Sequence, residues 1–417
     1  MRALVLDACL NDRAYDPQSE GPRVEYLLEA ATLARLSSDL THHVHQTLLH
    51  ADEEVEDHWS LQQRVNLLVA LSRQERKDAE EALATLYLGR LAQEGTLLDM
   101  LEVAQLEAYG PEGLLRVLRD RAHRSGNQPG DWDNGLLRSA EHTLDPEVLS
   151  ETMRRARGDP AVKVYLGALK AREDQGKQEW RDHQQNSSAP IDYDQARRTV
   201  KDALAREAIG CPLALRSIRL TEEALIRLAG DVEQETDPDT LRHLLCAFVR
   251  RPFPGQPSRL LTLARHPDER VAERSIIALS RLQHPKTRTL ATELLESDSP
   301  LRLVSAKLLQ LNFQDGDEVL LRRVLSHADQ ADDDLRHGFC RDVREVADAR
   351  PTAAMLALVA DTYAHQPCSH CRHEALELLA EHAAVPLWLQ AEARLDANPD
   401  TRQLFSVSTL AEKIIGK

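Results

Sequence analysis

The densest set of chemistry-bearing side chains in this chain is His365-Gln-Pro-Cys368-Ser-His370-Cys371-Arg-His373-Glu374. Two cysteines at Cys-x-x-Cys spacing supply thiolates, and the interleaved histidines supply imidazoles. Zinc takes about four such N or S ligands in a tetrahedron, so Cys368, His370, Cys371 and His373 form a candidate metal set. The same Cys-x-x-Cys at a helix start also suits a redox pair, because the positive end of a helix stabilises a thiolate. No second Cys-x-x-Cys, which would complete a common zinc motif, occurs in the chain.

Other sets are weaker. His42, His43, His45, His50 and His58 are interleaved with Asp52, Glu53, Glu54, Glu56 and Asp57. A solvated helix end running into an acidic loop accounts for them better than metal capture. Asp131-Trp-Asp-Asn-Gly135 matches the start of a calcium loop but lacks the Glu at its twelfth position. No Gly-x-Ser-x-Gly, no phosphate-cradling glycine loop and no His-Glu-x-x-His occurs, so nothing singles out a catalytic residue.

Composition narrows the function classes. The 417 residues carry a formal net charge of −16. That disfavours a general grip on nucleic acid, which depends on neutralising phosphates, and disfavours anionic membrane surfaces. Of the basic residues 43 are Arg and 9 are Lys, a bias that suggests a GC-rich bacterial genome. Six thinly spread cysteines do not make a disulfide framework, so a reducing cytoplasm is the expected compartment. No run approaches the ~18 apolar residues of a membrane span.

The elements that must position these residues repeat. Aligned on one apolar position, the C-terminal half reads Pro238-x-x-Leu241-Arg242, Asp268-x-x-Val271-Ala272, Asp298-x-x-Leu301-Arg302, Asp332-x-x-Leu335-Arg336 and Cys368-x-x-Cys371-Arg372, at spacings of 30, 30, 34 and 36 residues. A helical period in this range predicts stacked helix pairs. Asp or Ser near an N-cap and Pro at the first helical position precede an amphipathic stripe, such as Val271, Ser275, Ile276, Ala278, Leu279 and Leu282. This register places Cys371 at a buried position and Cys368 near a helix cap, where a free thiol packs as a small hydrophobe. Packing is therefore the preferred account of the two cysteines, and zinc the alternative; no cofactor is otherwise expected.

Asp298-x-x-Leu301-Arg302-x-x-Ser305-Ala306-x-Leu308-Leu309 and the equivalent stretch from Asp268 resemble the second helix of HEAT repeats, clearly over about residues 215–380, with one further unit from Asp159. The chain is similar to uncharacterised bacterial HEAT-repeat proteins. The resemblance implies an all-α fold, a right-handed α-solenoid of stacked helix pairs. HEAT-like deoxyhypusine hydroxylases hold iron with several His-Glu pairs; the single pair His373-Glu374 cannot supply such a site. HEAT-like DNA glycosylases need a cationic face that net −16 argues against, and no chromophore signature supports a phycobilin lyase.

Three regions follow: an N-terminal helical half over 1–171, a polar linker or protruding loop over 172–194, and a C-terminal repeat half over 195–417. Helices are expected near 22–36, 60–72, 77–94, 97–107 and 111–122 in the first. The expected function is a noncatalytic scaffold that binds a protein partner, possibly basic, and neither nucleic acid nor a membrane. Arg250, Arg251 and Phe253 on the proline-rich connection, with Trp132 and Trp180 in loops, are the candidate contacts, since exposed aromatics and Arg anchor interfaces. The repeat residues Arg242, Arg302, Arg336 and Arg372 are expected to lie along the seams and pair with an Asp such as Asp268 or Asp298.

Overall fold

The computed structural model describes residues 1–93, 95–125, 134–187 and 189–405. It is all-α: among these residues there is no strand beyond an isolated parallel bridge between Ile191 and Leu220. The chain separates into two compact units, Met1–Gln184 and Gln185–Lys417, each with its own apolar core.

The first unit begins with α1 (Arg2–Leu10), α2 (Pro17–Glu20), α3 (Val24–Leu33), α4 (Leu40–Leu49) and α5 (His58–Arg73). It continues with α6 (Lys77–Arg90), α7 (Thr96–Ser125), α8 (Asn134–Thr143), α9 (Pro146–Ala156) and α10 (Pro160–Ser187). α7 is broken at Gly110, whose φ of 58° favours glycine, and Pro111 starts the following segment. Of the polar stretch 172–194, expected as a linker or protruding loop, the part up to Ser187 continues α10. Its Glu, Gln, Lys and Arg residues are good helix formers, and Glu173–Lys177 makes an i,i+4 ion pair at 2.6 Å.

The second unit starts with α11 (Tyr193–Ala205), α12 (Glu222–Gln234), α13 (Pro238–Leu244) and a 3₁₀ turn over Leu245–Phe248. Next come α14 (Pro257–Leu263), α15 (Glu269–Ser280), α16 (Pro285–Glu296), a 3₁₀ segment over Val304–Leu309 and α17 (Asp317–Leu325). The last are α18 (Asp333–Ala349), α19 (Ala353–Thr362), α20 (Ser369–Glu381), α21 (Leu387–Ala393) and α22 (Pro399–Leu404). Two of the caps, Asp268 and Asp332, stand at the aligned repeat positions. The Asp237, Asp268, Asp332 and Asn398 side chains accept backbone N–H groups of the first turn, each worth about 1 kcal/mol. Contacts run between neighbours. α15 touches the 3₁₀ segment 304–309, that segment touches α18, and α18 touches α20; on the other side α14 touches α16, α16 touches α17 and α17 touches α19.

Two of the five aligned positions depart from expectation. Leu241 and Val271 are buried and Cys371 is nearly so, but Leu301 is only half-buried and Leu335 is 38% exposed. Around Leu301 the chain forms turns and then a 3₁₀ segment in place of an α-helix. Tighter winding rotates Leu301 outward while Ser305, Ala306, Leu308 and Leu309 stay buried. Leu335 lies in the first turn of α18, and the buried stripe begins only at Phe339 and Cys340. The seam arginines do find partners, though not the ones expected. Arg242 pairs with Asp239 at 3.2 Å, Arg336 with Asp333 and Arg372 with Asp396, while Arg302 donates to the carbonyl of Leu295 at 3.0 Å.

One buried pair ties the 3₁₀ segment to α18: Lys307 Nζ lies 3.1 Å from Asp342 Oδ1. Burial pushes the Asp342 carboxyl up to about 6, against the opposing pull of Lys307. Relative to an unfolded value near 3.8, the folded state then binds the proton more tightly. Its contribution is fully present below pH ~4 and is lost as pH rises through ~6, on the order of 2–3 kcal/mol. Urea unfolding of Asp342→Asn should therefore show a shallower fall in stability from pH 4.5 to pH 7 than the parent chain; parallel profiles would contradict this assignment.

Candidate metal centre

The Cys-x-x-Cys segment is shaped by the residue that follows it, Arg372. Cys368 is the N-cap of α20 and Cys371 lies in its first turn. Arg372 turns back from the helix and donates to the carbonyls of Gln366 at 3.0 Å and Pro367 at 3.2 Å, fixing the approach to Cys368. Its guanidinium is locked in turn by Asp396, with Nε–Oδ2 at 2.7 Å and Nη2–Oδ1 at 3.2 Å. Asp396 also accepts from the Tyr363 hydroxyl at 2.6 Å and the Asn398 N–H at 2.9 Å. Burial alone would raise the Asp396 carboxyl, but these donors, Arg372 foremost, hold it below the usual value.

The third member comes from α18. His337 Nε2 lies 3.1 Å from Cys371 Sγ. One donor atom from each of His337, Cys368 and Cys371 lies within 4.8 Å of the other two. A tetrahedral zinc with S ligands at ~2.3 Å and N at ~2.0 Å separates its ligands by roughly 3.5–3.8 Å. The observed group, with its donors within 4.8 Å of one another and His337 at 3.1 Å from Cys371, lies close to that spacing. Thiolate and imidazole are the donors that suit zinc or Cu(I), and they do not suit magnesium or calcium. Arg344, two turns along α18 from His337, and Glu374, one turn along α20 from Cys371, face each other at 3.0 Å beside the group.

The two histidines expected in the set go elsewhere. His370 is exposed, with Nε2 3.5 Å from Glu374 Oε1. His373 Nε2 lies 3.4 Å from Glu377 Oε1, and its Nδ1 lies 3.3 Å from Thr401 Oγ1. Helical geometry explains the change. From Cys371, one and two residues' rotation carries the side chain away from the Cys368–Cys371 face, whereas His337 arrives from the helix packed against that face. The redox account loses support too. The hydrogen bond with Cys368, then burial, push the Cys371 thiol well up, the reverse of what an activated thiolate needs, although Arg344 opposes this.

The candidate partner contacts are dispersed. Phe253 is buried, edge-on to Phe248 with ring centres 4.8 Å apart, so the proline-rich connection folds its aromatic inward. Arg251 is half-buried and donates to the Ile218 carbonyl at 3.1 Å; Arg250 is exposed. Trp180 is 60% exposed on α10, and Trp132 lies outside the described residues. Of the six cysteines, Cys211 and Cys246 form a disulfide, a pair that their 35-residue separation does not suggest; Cys9, Cys340, Cys368 and Cys371 are free.

Comparison with protein-family models, with curated proteins and with solved structures returns no match. The geometry of the site therefore carries the functional argument.

Removing Arg372 should leave the Asp396 carboxylate, 2% exposed, without its counter-charge. Arg372→Ala is expected to cost about 3–5 kcal/mol in urea unfolding, and the paired apolar replacement Arg372→Met with Asp396→Leu much less. Equal losses for the single and double variants would show that the ion pair does not set the local structure.

Proposed function

We propose that the protein is a noncatalytic helical scaffold whose second unit carries a zinc-type metal centre on His337, Cys368 and Cys371. The single observation behind this is the convergence of one imidazole and two thiols, drawn from two successive repeat positions, on one point. A metal there would cross-link α18 to the start of α20. It would replace a weak helix-to-helix contact with coordinate bonds whose free energy adds to folding. Three protein ligands are one fewer than a closed structural site has, so the fourth position falls to water or to an outside donor.

The scaffold part rests on the HEAT-like spacing together with the neighbour-to-neighbour contacts of the second unit. We read the helix pairs as a solenoid and a protein, basic in charge, as the partner class. The net charge of −16 would steer such a partner without fixing its affinity. Among the described residues no helix is long and apolar enough to cross a membrane. We assign the protein to the cytoplasm, where Cys368 and Cys371 would stay reduced and free to take a metal.

Metal analysis of the full-length chain purified without a His tag tests the centre. The expected result is about one zinc per chain, lost in Cys368→Ser and His337→Ala and retained in His370→Ala and His373→Ala. Because both thiols must lose protons, zinc retention should weaken by about 10- to 100-fold for each unit the pH falls below neutral. No zinc on the purified chain and none taken up by the chelated protein would refute the proposal. Loss with the His370 variant but not the His337 variant would move the site back to the local motif.

A further inference from the structure

The disulfide between Cys211 and Cys246 lies in a setting unlike that of a merely structural cross-link. Cys246 sits in the 3₁₀ turn after α13 and is fully buried. Cys211 lies half-buried in the non-helical segment 206–221 between α11 and α12. Arg274 of α15 places Nη1 3.1 Å from Cys246 Sγ and donates from Nη2 to the Ile209 carbonyl at 3.0 Å. Arg242 donates to the Ala208 carbonyl at 3.2 Å, and Arg251 to that of Ile218 at 3.1 Å. One covalent bond and three arginines join the first part of the segment to its surroundings, Leu215 and Leu220 anchor its second part in the core, and Ile209, Leu213 and Ile218 stay 63%, 83% and 76% exposed.

The two sulfurs are chemically unequal. Cys246 is fully buried with the Arg274 guanidinium beside its sulfur, whereas Cys211 is half-buried. Thiol–disulfide exchange proceeds by thiolate attack on one sulfur with departure of the other, and departs faster as the leaving thiolate is better stabilised. We propose that Cys211–Cys246 is a thiol-exchange site, attacked at Cys211 by a dithiol reductant and releasing Cys246 as a thiolate against Arg274, so that segment 206–220 loses its covalent tether. The reductant's thiolate forms a mixed disulfide with Cys211 Sγ as the S–S electron pair passes to Cys246 Sγ. The reductant's second thiol, deprotonating, then displaces Cys211, which takes up a proton. The net change is two electrons and one proton from the reductant to the protein, with the reductant's other proton passing to solvent, Cys246 remaining a thiolate and the reductant left as its disulfide. The step is independent of the metal centre, which uses other cysteines.

The test is differential alkylation and mass spectrometry of the full-length chain equilibrated in buffers of reduced and oxidised dithiothreitol. Cys211 and Cys246 should titrate together in one two-electron step without denaturant. In Cys246→Ser, glutathione disulfide should modify Cys211; in Cys211→Ser, it should leave Cys246 unmodified. Arg274→Gln should shift the equilibrium toward the disulfide by about tenfold, and Arg274→Lys by less. Amide exchange over 206–220 should rise by at least about tenfold on reduction, reporting loss of local protection. The proposal fails if both thiols are alkylated in the oxidising buffer, if the pair resists reduction until the protein is unfolded, if Cys246 is the sulfur modified, or if exchange over 206–220 does not change.

Discussion

The candidate site depends on one ion pair that touches neither thiol. Asp396 is buried, and a buried carboxylate is tolerable only when its lone pairs are met. Arg372, Tyr363 and Asn398 meet them. Because Arg372 also holds the carbonyls of Gln366 and Pro367, satisfying that carboxylate fixes the path of the chain into Cys368. Two thiols one helical turn apart then present a fixed pair of sulfurs to α18, where His337 completes the group. The order of cause runs from burial of a charge, through a guanidinium, to the placement of donors.

Much of this arrangement is legible in the sequence, and the parts that are not have definite reasons. The helical class follows from periodicity and caps, and Asp268 and Asp332 cap as their aligned positions suggest. The Cys-x-x-Cys pair is visible because its two members share one helix turn. His337 is not, because it stands 34 residues before Cys371 and reaches it only through packing. The signal that could have found it is the repeat itself: a spacing close to one period places side chains on adjacent helices. His370 and His373 drew attention through proximity in sequence, which on a helix says little about direction. Leu301 and Leu335 show the same limit, since turns before a 3₁₀ segment leave Leu301 at the edge of the core and a helix start leaves Leu335 exposed. Phe253, expected outside, is drawn in by Phe248.

The cysteines divide into groups with different electrostatic surroundings. Cys9 and Cys340 are pushed up to about 11 and about 12 by burial, and they serve the cores as small apolar groups. Cys368 and Cys371 lie together against His337, with the three donor atoms within 4.8 Å of one another. Cys246 faces a guanidinium, the setting that favours a thiolate without metal. Thin spacing in the sequence concealed a division that only the fold makes, between two core thiols, a disulfide pair and two thiols grouped with His337.

X-ray absorption at the zinc edge of the full-length protein tests the central claim most directly. The account predicts a shell of two sulfurs at ~2.3 Å with N or O donors at ~2.0 Å, one of them an imidazole. A shell of N and O donors alone, or an imidazole signal unchanged when His337 is replaced, would contradict it.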